Sequence, residues 1–283
     1  MGTVDPHNRL NELSAQEWLR FTKTWFVHNP PRRKEKEILH PAKFPEDLIE
    51  QFITFFTKPG AVVVDPFAGT GSTLVAAYNT RRNGIGIELQ KKYADIARER
   101  LQKLDGQFQL SNDGCEENRK QLVLEGNSAE VEKFWRQYGL PMADLVVTSP
   151  PYGLMLHKKG LISKDREEKG LDTAYSYDKE DLGNAEDYDQ FLQKLVDIFI
   201  TLKPFLKEDS YLVVILQNYM DKGEYKPLAW DFASRMMKHY TLRGEKIWCQ
   251  DNKTLFPYGY KYSFVPNVHH HYCLIFRKDS EKV

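Results

Sequence analysis

The chain reads as an α/β domain built on a mostly parallel sheet with helices on both faces. Three observations predict this. The runs Ala61–Val64, Gly84–Ile87 and Ala143–Val147 are short and near-continuously apolar, as strands covered on both faces are. Stretches with helical spacing separate them, the alternation that a parallel sheet requires. The last apolar run, His271–Phe276, follows its predecessor through a loop without helical pattern, which predicts a closing antiparallel hairpin.

Taken in order, Ser14-Ala15-Gln16-Glu17 is a capping-box pattern and predicts a helix running to Trp25 or Phe26. Pro30-Pro31 breaks it. Pro45 to Phe56 is a second helix, with Leu48, Ile49, Phe52 and Phe56 on one face. Strand 61–65, helix 71–80, strand 84–88 and helix 90–103 then alternate. Gln121–Leu124 is a third strand, Ala129–Tyr138 a helix and Ala143–Thr148 a fourth strand. Tyr188–Leu206 is a long amphipathic helix, Tyr211–Gln217 a strand and Leu228–Tyr240 a further helix. Thr241–Cys249 and His271–Phe276 are the last two strands. Residues 153–183 carry no sustained period. A loop of that length in a compact domain is functional or disordered. Its place after a proline turn suits a substrate-gripping flap, and an exposed insertion fits its composition nearly as well.

Composition bounds the function without choosing it. At 283 residues and 41% hydrophobic, the chain can bury a sizeable core. No run is long enough for a membrane helix and no apolar signal segment opens the chain, so a cytoplasmic protein is expected, with no membrane partner. Cys115, Cys249 and Cys273 are widely spaced, form no zinc pattern and suit a reducing interior. The formal net charge is zero, yet basic residues cluster at Arg32, Arg33, Lys34 and Lys36. From Pro227 to Tyr262 six basic residues stand against three acids. Any single cluster is ordinarily solvated surface, and the sum is compatible with a polarised face. His269-His270-His271 is not a metal site on this reading, because alternate side chains of a strand point to opposite faces. His271 is expected to pack or hydrogen-bond at the start of the last strand. Trp248 and Phe256 are core candidates before they are site candidates.

Two segments carry chemistry. Asp65-Pro66-Phe67-Ala68-Gly69-Thr70-Gly71-Ser72 is a glycine turn between a strand and a helix, where the backbone can approach a ligand and the helix N-terminus favours a negative group. Glu88 ends the next strand, the place for an acid that binds ribose hydroxyls. Thr148-Ser149-Pro150-Pro151-Tyr152-Gly153 ends the fourth strand. Two prolines force the chain out of the sheet as an extended turn at its carboxyl edge. Ser149 and the Pro150 carbonyl can accept hydrogen bonds from an amine, and Tyr152 can stack on a planar ring. That combination suits methylation of an exocyclic amine. A dinucleotide oxidoreductase would share the glycine turn and the acid but leaves Ser-Pro-Pro-Tyr unexplained, and against a catalytically silent cofactor-binding protein every polar group that the chemistry needs is present.

In these segments the chain resembles the DNA amino-methyltransferases that use S-adenosylmethionine (SAM), most closely the cytosine-N4 type with a Ser-Pro-Pro-Tyr motif. His40-Pro41-Ala42-Lys43-Phe44-Pro45 resembles the family segment that closes over the methionine end of the cofactor, and Asn127, followed by Ser128, stands where the family has a residue near the adenine. The segments from Phe256 to Tyr260 and from His271 to Lys278 resemble the closing strands, so the likeness runs from about His40 to Lys278. It implies a Rossmann-like methyltransferase fold with a seven-stranded sheet ordered 3-2-1-4-5-7-6. It divides the chain into an N-terminal helical extension, 1–39, and a catalytic domain, 40–283. It implies SAM as cofactor, with no metal, held by His40, Pro41, Phe44, the 65–72 turn, Glu88, Asn127, Ser128 and Thr148. Ser149, Pro150, Pro151 and Tyr152 become the catalytic residues. The expected partner is duplex DNA with a flipped base, with a separate restriction endonuclease as companion, and in a prokaryote a nucleoid association. Within the family a serine heading the motif goes with cytosine N4. Adenine N6 is the alternative, and an RNA amine comes third.

Overall fold

A computed structural model describes residues 3–30, 44–108, 120–151, 182, 185, 187–221 and 223–280. Helix α1 (Ala15–Phe21) opens with the capping box that the sequence specifies. Ser14 Oγ accepts from the Glu17 N–H, and Glu17 accepts from the Ser14 N–H at 2.8 Å. The helix stops at Phe21, short of the expected end, and Trp25–Val27 is a strand, β1. The cause is tertiary. The buried amine of Lys246 donates to the carbonyls of Phe21 and Lys23 and pins the chain as it leaves the helix. Among the described residues up to 30, Ala15–Phe21 is helical and Trp25–Val27 is a strand.

Helix α2 (Glu46–Phe56) follows, then β2 (Val62–Asp65), α3 (Ser72–Asn79), β3 (Asn83–Glu88), α4 (Lys91–Phe108) and β4 (Gln121–Glu125). A 3-10 turn (Ser128–Glu130) leads into α5 (Val131–Tyr138), and β5 (Ala143–Thr148) has the predicted bounds. Helix α6 (Tyr188–Leu202) ends in a 3-10 turn containing Pro204, so the expected run to Leu206 is cut short. Next come β6 (Leu206–Leu216), the small hairpin β7 (Tyr219–Asp221) and β8 (Glu224–Lys226), α7 (Leu228–Met236), β9 (Thr241–Cys249) and β10 (His270–Arg277).

The sheet has eight strands among the described residues, ordered β1-β9-β10-β6-β5-β2-β3-β4. Read from β4, the seven strands β2 to β6, β9 and β10 stand in the order expected for the fold. The eighth, β1, adds parallel to β9 at the edge and corrects the strand count. Only β10 runs antiparallel to its neighbours β6 and β9.

Alternation along the inner strands divides the core. Val64, Val146, Leu212 and Val214 pack with Phe191, Leu195 and Phe199 of α6 and Phe232 of α7. Val63, Leu145, Val147, Val213 and Ile215 pack with Leu48, Phe52 and Ile53 of α2. Phe21 of α1 stacks on Phe55 at 3.9 Å between ring centroids, so α1 seals that second layer. The strand order reverses between β2 and β5, and at such a switch point the carboxyl ends splay to leave a crevice.

Candidate active site

A cleft lies at that crevice. Its walls include Pro66, Thr70, Ser72, Glu88, Asn127 and Ser149. The glycine turn, the acid and the serine motif, far apart in sequence, thus converge on one cavity.

Asp65 organises it from below. Its buried carboxylate accepts from Thr148 Oγ1 at 2.6 Å, from Thr73 Oγ1 at 2.6 Å and from the Phe67 N–H at 2.9 Å. Burial raises the carboxyl above its ordinary value, and the three hydrogen bonds oppose that shift. Asp65 and Thr148 are therefore turned on each other and brace the site.

The glycine turn is closed by its own hydrogen bonds. Ala68 N–H donates to Ile87 O, Gly69 N–H to Glu88 Oε2 and Gly71 N–H to Ala68 O, each at 2.8–2.9 Å. The amides of Phe67, Ala68, Gly69 and Gly71 thus brace the turn, and shape rather than an open row of donors is what it offers a ligand. Gly71 caps α3 with φ of +80°, and a Cβ there would stand 2.9 Å from Ala97 Cβ. Arg100 donates to Thr70 O and pairs with Glu46, fastening the turn to α4 and α2.

Glu88 is oriented by the N–H groups of Gly69, at 2.8 Å, and Gln90, at 2.9 Å. Ser72 is buried at the start of α3, and its Oγ has no hydrogen-bond partner among the described residues. Such an atom on a cleft wall calls for a polar ligand group. Asn127 accepts from the Ala129 N–H at 2.9 Å, and Ser128 Oγ donates to Pro66 O, tying the turn after β4 to the glycine loop.

Ser149 and Pro151 line the cleft, while Pro150 is buried beside them. Phe44 lines it too and meets Trp248 and His271 at 5.5 and 5.9 Å between ring centroids. His271 stacks on Trp248 at 4.5 Å, and burial, helped by Lys253 and His270, lowers its pKa to about 3. It is a neutral packing residue, as its position on a strand suggests. Among the described residues no group of three His, Cys, Asp or Glu side chains could hold a metal ion. His40, Pro41, Tyr152 and nearly all of the 153–183 loop lie outside the described residues.

Sequence reasoning misses several lining residues. Leu89 and Gln90 follow Glu88 directly, and Tyr93 is one helical turn further on, so proximity to the acid could have found them. Ile49, Leu182 and Ile198 reach the cleft from elements with no local signal of it.

Residues 5–99 match the N6_N4_Mtase family model, described as DNA methylase. The type II methyltransferase M.BglII of Bacillus subtilis is 40% identical over 73 residues, 26% of this chain and 20% of that protein. The orphan methyltransferase M.BamHII of Bacillus amyloliquefaciens is 48% identical over 98 residues, 34% of this chain and 36% of that protein. The matched region thus spans only a fifth to about a third of these relatives' length. Among solved structures, a methyltransferase from Pyrococcus furiosus overlays with a TM-score of 0.46 at 13% identity, covering 86% of this chain and 88% of that one. Over this N-terminal third the chain is thus similar to DNA methylases of the N6_N4_Mtase family model and to these type II and orphan methyltransferases.

Proposed function

We propose that this protein is a SAM-dependent DNA methyltransferase that modifies the N4 amine of cytosine. One observation carries the reading: Ser149 opens onto the same cleft as Ser72 and Glu88, so an acceptor for an amine and the groups for a nucleoside cofactor share one cavity.

The residues fit SAM. The partnerless Ser72 hydroxyl at the N-terminus of α3 suits the methionine carboxylate. Glu88, held by two backbone amides, suits the ribose hydroxyls. Asn127 offers an amide near the adenine, and Phe67, Ile87 and Tyr93 offer apolar walls for its ring. SAM, when bound, supplies an electrophilic methyl group.

The chain's own part is to prepare the nucleophile. Cytosine's amine is a poor one because its lone pair is delocalised into the ring. Ser149 Oγ and the Pro150 carbonyl accept its hydrogens and hold them out of the ring plane, which localises the pair. The buried Asp65–Thr148 contact fixes the strand end that presents Ser149. Catalysis is then mainly alignment. The amine of a paired cytosine is out of reach, so the base is flipped and Tyr152 stacks on it. The 153–183 segment, which directly follows the motif, is assigned to gripping the substrate, and the 1–39 segment is an extension of the catalytic domain of 40–283. The relatives' type II designation suggests a restriction endonuclease acting separately on the same sites. No helix of the described residues is long and apolar enough to cross a membrane.

The test is nucleoside mass spectrometry of mixed-sequence duplex DNA incubated with the purified protein and SAM. N4-methylcytosine is expected. N6-methyladenine alone would mean that the serine heading the motif does not select cytosine, and adenine N6, which the matched family also covers, would replace it.

A further inference from the structure

Between β9 and β10, residues 250–269 leave the sheet and return. β9 runs antiparallel to β10, β10 antiparallel to β6, and β6 parallel to β5, so this loop leaves at the edge where β5 ends before Ser149. β6 and β10 alone separate the two strands, roughly 14 Å across the sheet, and β9 runs from Glu245, level with Thr148, on to Cys249, so the two ends lie roughly 19 Å apart. That is well under the roughly 34 Å of one turn of duplex DNA.

The loop has a built backbone and an outward apolar face. At its base, Asn267 accepts from the Phe256 N–H and donates to the Phe256 carbonyl, both at 2.9 Å. At its tip the Gly259 carbonyl accepts from the Tyr262 and Ser263 N–H groups, both at 2.9 Å. Gly259 has φ of +69°, and a Cβ there would lie 2.3 Å from Ser263 O. Lys261, which has a Cβ, sits at φ of +70°, a conformation that costs free energy and persists where surroundings or function require it. Yet Tyr262 is 94% exposed and Phe264 90% exposed, and Leu255 and Tyr260 are exposed as well. Aromatic rings in water on a hydrogen-bonded tip mark a contact surface. From Asn252 to Lys278 there is no acidic residue, Lys253 precedes the rings and Lys261 stands between Tyr260 and Tyr262.

Lysines beside exposed rings suit a polyanion whose interior is a stack of flat apolar faces. We propose that this loop is a DNA-engaging wedge: Tyr262 and Phe264 insert into the duplex stack beside the extruded base, while Lys261 contacts the flanking phosphate. The proposal rests on the methyltransferase reading above. It adds the element that lowers the cost of extruding the base, because rings filling the vacated step replace lost stacking.

The experiment compares wild type, Tyr262→Ala/Phe264→Ala and Lys261→Ala on an oligonucleotide duplex carrying a site that wild type modifies, fully paired or mismatched at the target base. On the paired duplex the aromatic double variant should lose about tenfold or more in kcat/KM, with SAM affinity and Tm unchanged. On the mismatched duplex, where the base is already loosened, most of the rate should return. Tyr262→Trp/Phe264→Trp should keep the paired-duplex rate. Lys261→Ala should lower the salt slope of duplex binding by about one. Wild-type rates of the double variant on paired duplex would overturn the wedge and leave the rings to some protein partner. An equal loss on both duplexes would overturn it as well. If wild type modifies no DNA at all, the methyltransferase reading itself has failed, a result distinct from an active enzyme with a silent loop.

Discussion

Asp65 and Thr148 meet across 83 residues of sequence through a 2.6 Å hydrogen bond between buried side chains. One ends β2, at the start of the glycine turn, and the other immediately precedes Ser149. The contact makes the two halves of the cleft a single mechanical unit. A second hydroxyl, Thr73, joins it from α3.

That unit should respond to pH. Burial raises the Asp65 carboxyl above its ordinary 3.8, whereas in the unfolded chain it ionises at the ordinary value. The folded state therefore keeps its proton to higher pH than the unfolded state. This contribution to stability is complete below 3.8 and is lost as pH rises through the folded value. Asp65→Asn cannot ionise, and the Thr73 hydroxyl can rotate to accept from the new amide. Urea unfolding of both proteins between about pH 4 and about pH 8 should show stability shifting towards the variant as pH rises. Parallel profiles would mean that the raised carboxyl has no weight in folding.

Thr148→Val keeps the shape and removes the donor. A hydrogen bond to a buried acid contributes about 1.5–3 kcal/mol, so the variant should lose about that much stability. Because Ser149 is the next residue, kcat for DNA methylation should fall while SAM affinity changes little. A variant as active as wild type would show that Ser149 does not depend on this anchor.

Glu88→Ala should weaken SAM binding about ten- to a hundredfold, the loss of charge-assisted bonds worth roughly 1.5–3 kcal/mol. Glu88→Gln should fall between, because its amide keeps one acceptor for Gly69 or Gln90. Titration calorimetry on folded variants decides the matter, and unchanged affinity in Glu88→Ala would refute the placement of the ribose.

Gly71→Ala has two separable costs. The positive φ strains any L side chain, and the new methyl meets Ala97 at 2.9 Å. Together they should destabilise the fold by about 1–3 kcal/mol. Adding Ala97→Gly should return part of the loss, since it removes the contact but not the strain. Full recovery in thermal melts would assign the whole cost to packing.

Most strands were legible in the sequence because they are buried on both faces and so are continuously apolar. The pattern of β5 marks its observed bounds. The start of β6 is hidden by Lys207-Glu208-Asp209, although Asp209 N–H is tied to Lys278 O beside it. β1 was invisible because Lys246, more than two hundred residues away, sets the end of α1. In the cleft the motifs stood out because glycine and proline punctuate the chain. The inward role of Asp65 did not, because a side chain's partners lie on other strands.

Strand β1 also has a colloidal consequence. An uncovered strand edge is a template for pairing with another copy of the chain, and β9 is the last long strand on its side. Trp25, Phe26 and Val27 cover its most apolar stretch, opposite Ile247, Trp248 and Cys249. The part they leave bare carries Arg243 and Glu245, charges that discourage such pairing. A chain trimmed beyond Val27 would present the apolar stretch to solvent and should self-associate, visible as light scattering at concentrations where the intact protein stays clear. Those three residues serve solubility as well as folding.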